Sequence, residues 1–177
     1  VYTPISAGFG LFTATKAGET LDWTIPYQNT TNAVCAFKAA VGKDCLEMAI
    51  DFARREKKEI FVGIRVNDNH DSYCPGLFPQ WKRDNPDCLF GKEGDRIPRC
   101  TWSAVDFANP KVRAYMLTFM RQFFENYDVD GVAYDFNRHF QLFKSVGWGA
   151  YATEAQLKLM TDFMLELRAI TEAAATA

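Results

Sequence analysis

The chain has no long apolar run. Nothing in its 177 residues approaches the roughly 18 to 20 consecutive apolar positions that a membrane span requires. Its start also lacks the basic-then-apolar pattern of a signal peptide. A soluble protein is therefore expected, with cytoplasmic, periplasmic and secreted locations all open and no membrane partner. Neither charge is in excess: 20 Lys plus Arg face 22 Asp plus Glu, a net charge of −2. That balance supplies no basic surface for nucleic acid, so a neutral or small polar partner is the default. The five cysteines, Cys35, Cys45, Cys74, Cys88 and Cys100, contain no CxxC spacing. A zinc knuckle is thereby disfavoured, and one or two disulfides are left open if the protein is exported. Histidine is scarce, with only His70 and His139, and neither an HxH nor an HExxH spacing occurs. The Gly8-Phe9-Gly10 stretch lacks the third glycine and the preceding strand of a dinucleotide-binding turn. No cofactor and no metal is expected from these patterns, and the oligomeric state is left open. Asn29-Thr30-Thr31 has the form of a glycosylation sequon, which arises often by chance.

Apolar residues make up 48% of the chain and aromatics 15%, enough for one domain with a sizeable core. Three helix starts stand out. Asp44-Cys45-Leu46-Glu47 is a capping box, and Leu46, Ala49, Ile50 and Ala53 follow at helical spacing, predicting a helix to about Lys57. Asn109-Pro110 places an N-cap before proline at the first helical position, and an apolar stripe from Val112 to Phe123 carries that helix to about Asn126. Thr153-Glu154-Ala155-Gln156 is a second capping box, opening a stripe from Leu157 to Ile170; the alanine-rich end after it is expected to fray. Strands are predicted over 60–66 and 131–136, each just after a helix, and a further strand within 6–14. Helix, short turn, strand, twice over, is the pattern of α/β folds with parallel strands. Between the 60–66 strand and the helix that starts at Pro110, at about 68–109, lies a long βα loop rich in Pro, Gly, Trp and Cys. Loops of that length without obvious secondary structure are usually functional.

Period-two alternation decides which strand side chains share a face. Ile60, Val62, Ile64 and Val66 suit a layer of helices, whereas Phe61, Gly63, Arg65 and Asn67 point the other way. The later strand repeats the pattern, with Val132, Tyr134 and Phe136 opposite Ala133, Asp135 and Asn137. In both, the second face turns polar toward the carboxyl end, where α/β proteins build their sites. Arg65, Asn67 and Asp135 would then project into one cavity, with Asp68, His70, Asp71, Arg138 and His139 around its mouth. Each also has a structural reading. An Arg65 to Asp135 pair would serve simply to neutralise two buried charges. His70 and Asp71 would brace the long loop, Asp68 would belong to an Asx turn, and Arg138 and His139 would be solvated rim residues. Tyr73, Phe78, Trp81, Trp102 and Trp148 would form loop cores.

At "IRVNDNHD", "LFPQWKRDNPD", "WSAVDFANPKVR", "YDVDGVAYDFNRHFQLFKS" and "LMTDFMLELRAI" the chain resembles a group of bacterial glycoside-hydrolase-like proteins, family-10-like glycosidases with a (β/α)8 barrel. The similarity runs from about Thr15 to Ile170. The chain departs from that group in carrying Val66 where Met is typical and Ala133 near where an acidic or similar side chain is usual; if that position helps catalysis in those relatives, this chain would be impaired. The resemblance implies an α/β fold of the (β/α)8 TIM-barrel type and action on a carbohydrate. A full barrel needs about 250 residues. The resemblance therefore also implies a single partial barrel domain over 1–177, either the amino-terminal portion of a longer protein or a shortened relative.

Most glycosidases pair two carboxyl groups, one a general acid and the other a nucleophile or base. Asp135 is the first choice, because Arg65 beside it would favour the ionised form required of a nucleophile or base. Asp68 or Asp71 would be its partner, unless that group lies on strands outside this chain. His70 and His139 would bind sugar hydroxyls together with Arg65, Asn67 and Arg138, and Trp81 or Trp102 would stack on the ring. Two other classes compete: a metal-dependent hydrolase or deacetylase using Asp68, His70, Asp71 and His139, and a non-catalytic carbohydrate-binding or scaffold protein.

Overall fold

The computed structural model describes residues 40–74 and 77–176 in full, and residues 2–4, 6–7, 10–11 and 19–20 by their backbone. The sequon at Asn29, Cys35, Thr15 and most of the 6–14 stretch lie outside the described residues. Two short strands cover the rest of that stretch, β2 (Ser6–Ala7) and β3 (Gly10–Leu11). They pair antiparallel, and β3 pairs parallel with β4 (Glu19–Thr20).

The larger sheet positions the candidate site. Its order is β1 (Tyr2–Pro4), β5 (Phe61–Arg65), β6 (Gly131–Asp135), with all pairs parallel. Both predicted strands thus form and run in the same sense. Their register sets Phe61 beside Gly131 and Arg65 beside Asp135. Each parallel partner is reached through a helix, as a crossover connection requires.

Helix α1 (Cys45–Arg55) opens with the predicted capping box: Asp44 Oδ1 accepts from the Glu47 N–H at 2.8 Å, and Glu47 Oε2 accepts from the Asp44 N–H at 2.7 Å. The second Asp44 oxygen accepts from the buried Tyr127 hydroxyl at 2.9 Å, tying this helix start to the entrance of β6. At the other end of α1, Arg54 donates to Asp128 and Asp130, and Asp130 Oδ2 also accepts from the Ile60 N–H at 2.8 Å. The amino ends of β5 and β6 are therefore locked together.

After a single-turn helix α2 (Gln80–Asp84) come α3 (Pro110–Asn126), the short α4 (Lys144–Gly147) and α5 (Glu154–Ala175). The Asn109 cap and the Thr153 capping box are in place. The alanine-rich end remains helical through Ala175. Ile60, Val62, Ile64 and Val66 are buried against Leu46 and Ala53 of α1, Val112, Met116, Met120 and Phe123 of α3, and Phe163 and Leu167 of α5. Val132, Tyr134 and Phe136 pack on the same core. The alternation read from the sequence is thus the one that faces the helices.

The barrel expectation is corrected here. Among the described residues there is one three-stranded parallel sheet and one small mixed sheet, with no closed eight-stranded cylinder. The physical reason lies in what alternation encodes. Apolar residues on one strand face and small-then-polar residues on the other specify a parallel sheet with helices on one side. Closure depends on strand number and stagger, which no local pattern carries.

The long loop is more structured than its composition predicts. It holds single 3-10 turns at His70–Ser72 and Pro86–Cys88, a bridge between Leu89 and Val105, and a satellite core of Phe90, Ile97 and Ala104. Trp148 joins it by donating from Nε1 to the Phe90 carbonyl at 3.0 Å. Cys45, Cys74, Cys88 and Cys100 are free thiols, so no disulfide forms among the described residues.

Candidate functional site

At the carboxyl end of β5 the chain turns sharply, and Asn67 holds the turn. Its side-chain amide donates to the Val105 carbonyl at 3.0 Å and to the Gln141 carbonyl at 2.7 Å, and its oxygen accepts from the Val105 N–H at 2.9 Å. With 1% of its surface exposed, Asn67 clamps the loops that follow β5 and β6. It has no polar atom left for a substrate, contrary to the binding role expected of it.

Asp68 is the hub of the site. It too is 1% exposed, and both of its oxygens are engaged. Oδ2 accepts from Arg65 Nη1 at 2.8 Å, while Oδ1 accepts from the His70 N–H at 2.9 Å and faces His70 Nδ1 at 2.5 Å. Burial alone would push this carboxyl up. The His70 backbone and ring and the Arg65 guanidinium together outweigh burial and hold Asp68 below the ordinary carboxylate range. Asp68 is thus an ionised anchor and not a proton donor. It fixes the Nδ1–H tautomer of His70 and turns Nε2 outward, where Arg138 Nη2 donates to it at 3.4 Å.

The carboxyl end of β6 supplies the other wall. Asp135 sits in register with Arg65, so the two side chains share a face, as the alternation requires. Asp135 Oδ1 accepts from the N–H groups of Asn137 and Arg138 at 2.9 and 3.3 Å, an Asx turn that fixes the carboxylate. Its Oδ2 accepts no hydrogen bond from the described residues. Four residues on, His139 adopts φ +62°, in the left-handed region that non-glycine residues rarely enter. That backbone turns its ring onto His70, with centroids 5.1 Å apart at 72°. His139 Nδ1 is buried without a hydrogen-bond partner among the described residues. Burial lowers the His139 pKa. The Asp68 charge opposes this, and His70, Arg138 and Arg65 push it further down, so the ring stays neutral below the usual histidine range.

Asp71 and the two tryptophans fall elsewhere. Asp71 is buried, with Oδ2 accepting from Lys82 Nζ at 2.5 Å and Oδ1 from the Ser103 hydroxyl at 2.5 Å. Lys82 is itself fully buried. This pair braces the loop and offers no catalytic carboxylate. Sequence reasoning missed Lys82 and Ser103 as its partners, 11 and 32 residues away; no local spacing signals them. Trp81 packs at a tilt on Tyr115 of α3 with centroids at 4.6 Å, against the core. Trp102 packs on Phe78 at 5.1 Å and borders a groove of about 560 Å³ shared with Tyr73, Glu93 and Arg96. A larger hollow of about 730 Å³ lies at the amino end of β6, among Asp128, Asp130 and Thr171. There Asp130 is already spent on Arg54 and on Ile60.

The structure thus assembles Arg65, Asp68, His70, Asp135, Arg138 and His139 at one edge of the sheet, while Asn67, Asp71 and Trp81 serve the scaffold. No protein-family model matches the chain, and no curated protein matches it. No helix among the described residues is long and apolar enough to cross a membrane.

Proposed function

We propose that the chain is a hydrolase acting on a carbohydrate, with Asp135 as the reactive carboxylate. The observation that supports this reading is the state of the three candidate carboxylates. Asp68 and Asp71 have both oxygens engaged, whereas Asp135 is held by one oxygen and presents the other. A carboxylate fixed in this way, on the strand face that it shares with Arg65, suits a base or a nucleophile. Arg138 and the Trp102 groove contact the rest of the sugar. The carbohydrate class comes from the resemblance to family-10-like glycosidases.

The test is release of reducing ends from a panel of oligosaccharides and aryl glycosides by the intact chain and by Asp135→Asn. Turnover by the native chain that falls at least about 1,000-fold in the variant supports the reading. Sugar binding without turnover in the native chain would instead assign a carbohydrate-binding module. Equal turnover in both proteins would remove Asp135 from the chemistry.

A further inference from the structure

We infer that Asp68, His70 and His139 form a binding site for a divalent transition-metal ion. The observation is geometric: a carboxylate oxygen of Asp68 and one ring nitrogen from each histidine lie within 4.8 Å of one another. Reaching a common centre at the roughly 2.0 to 2.2 Å typical of such ions requires Asp68 Oδ1 to give up its contact with His70 Nδ1, so that the carboxylate and His70 Nε2 face the same ion. The chain has only two histidines, and the fold brings both together, although they are 69 positions apart in sequence, by joining the ends of neighbouring parallel strands.

Two independent features point to a ligand. His139 Nδ1 is buried yet makes no hydrogen bond with the described residues, an arrangement that costs free energy unless something fills it. The His139 backbone also sits in the left-handed region, and strain of this kind is tolerated where a side chain must be aimed. Around the cluster, the Arg65 contact to Asp68 Oδ2 would fix the carboxylate as a supporting hydrogen bond does in metal sites. Arg138 is the competing cation, 3.4 Å from His70 Nε2. It is exposed and on a flexible stem, so an incoming ion displaces it.

The donor set of two imidazoles and one carboxylate selects the class of ion. Imidazole suits zinc, cobalt, nickel and iron over magnesium or calcium, which prefer all-oxygen shells. Three protein ligands leave a coordination position open. On the hydrolytic reading, that position would take water or a sugar oxygen and polarise it, the role left vacant by the ionised, fully engaged Asp68. Ion binding itself can be measured without substrate, so it stands or falls separately from turnover.

The experiment is calorimetric titration of the metal-free full chain with Zn²⁺, repeated with Co²⁺ while recording the visible spectrum. One equivalent should bind, with cobalt bands of a nitrogen and oxygen shell and no thiolate charge-transfer band in the near ultraviolet. His139→Ala should weaken binding by about 100-fold. Arg138→Ala should tighten it severalfold, which a folding defect could not mimic. Absence of saturable binding, a thiolate band signalling cysteine ligation, or unchanged affinity in His139→Ala would each overturn the assignment.

Discussion

Replacing Asn67 with alanine should destabilise the protein severely although the residue sits beside the candidate site. Its amide makes three hydrogen bonds, to both polar groups of the Val105 peptide and to the Gln141 carbonyl. Each buried bond contributes about 1 kcal/mol net, and peptide groups left unpaired in the interior raise that figure. The expected loss is about 3 to 4 kcal/mol, a large share of a typical domain's stability. For a chain of this length it lowers the melting midpoint by roughly 10 °C. Urea denaturation followed by tryptophan fluorescence reads it directly, because Trp102 and Trp148 belong to the loop and flanking segment that Asn67 secures. Asn67→Asp keeps the shape but sets a carboxylate oxygen against two carbonyls, so it should be no more stable than the alanine variant. A loss below about 1 kcal/mol for Asn67→Ala would refute the clamp and return the residue to the list of ligand contacts.

The buried Lys82 to Asp71 pair gives a second stability test. Lys82→Met strands a carboxylate in the interior and should cost about 3 to 5 kcal/mol, whereas Lys82→Met with Asp71→Asn should recover at least about 1 kcal/mol of that in a denaturation cycle. Tyr134, whose hydroxyl is buried on the helix side of β6, should ionise late: burial pushes its pKa up to about 12, opposed only weakly by the nearby Thr171 hydroxyl, which donates to the Leu167 carbonyl. Because the unfolded chain loses this proton near pH 10, the folded state holds more protons between about pH 10 and 12. Stability is thus fully present below pH 10 and falls across that window. An ultraviolet titration should show a late-ionising tyrosine that Tyr134→Phe removes.

Much of the scaffold was legible because its signals are local. The Asp44 and Thr153 capping boxes and the Asn109-Pro110 start each satisfy backbone donors within one turn, so short stretches suffice to announce them. The faces of β5 and β6 were equally readable from alternation, and that put Arg65 and Asp135 side by side. The failures share a cause. Polar residues at a strand end look alike whether they serve a ligand or brace a loop, and only long-range partners tell them apart. Asn67 is consumed by Val105 and Gln141, Asp71 by Lys82 and Ser103, and Trp81 by Tyr115. The barrel failed for a related reason, since two helix and strand repeats fix the sense of the strands but not how many will pair.

The account turns on Asp135 being the one candidate carboxylate poised for chemistry, and the most direct measurement separates affinity from turnover in Asp135→Asn. With a sugar cleaved by the native chain, calorimetry on the variant should give a dissociation constant within about threefold of the native Michaelis constant, while kcat collapses. A variant that keeps its kcat, or one whose only defect is weaker binding, would contradict the assignment.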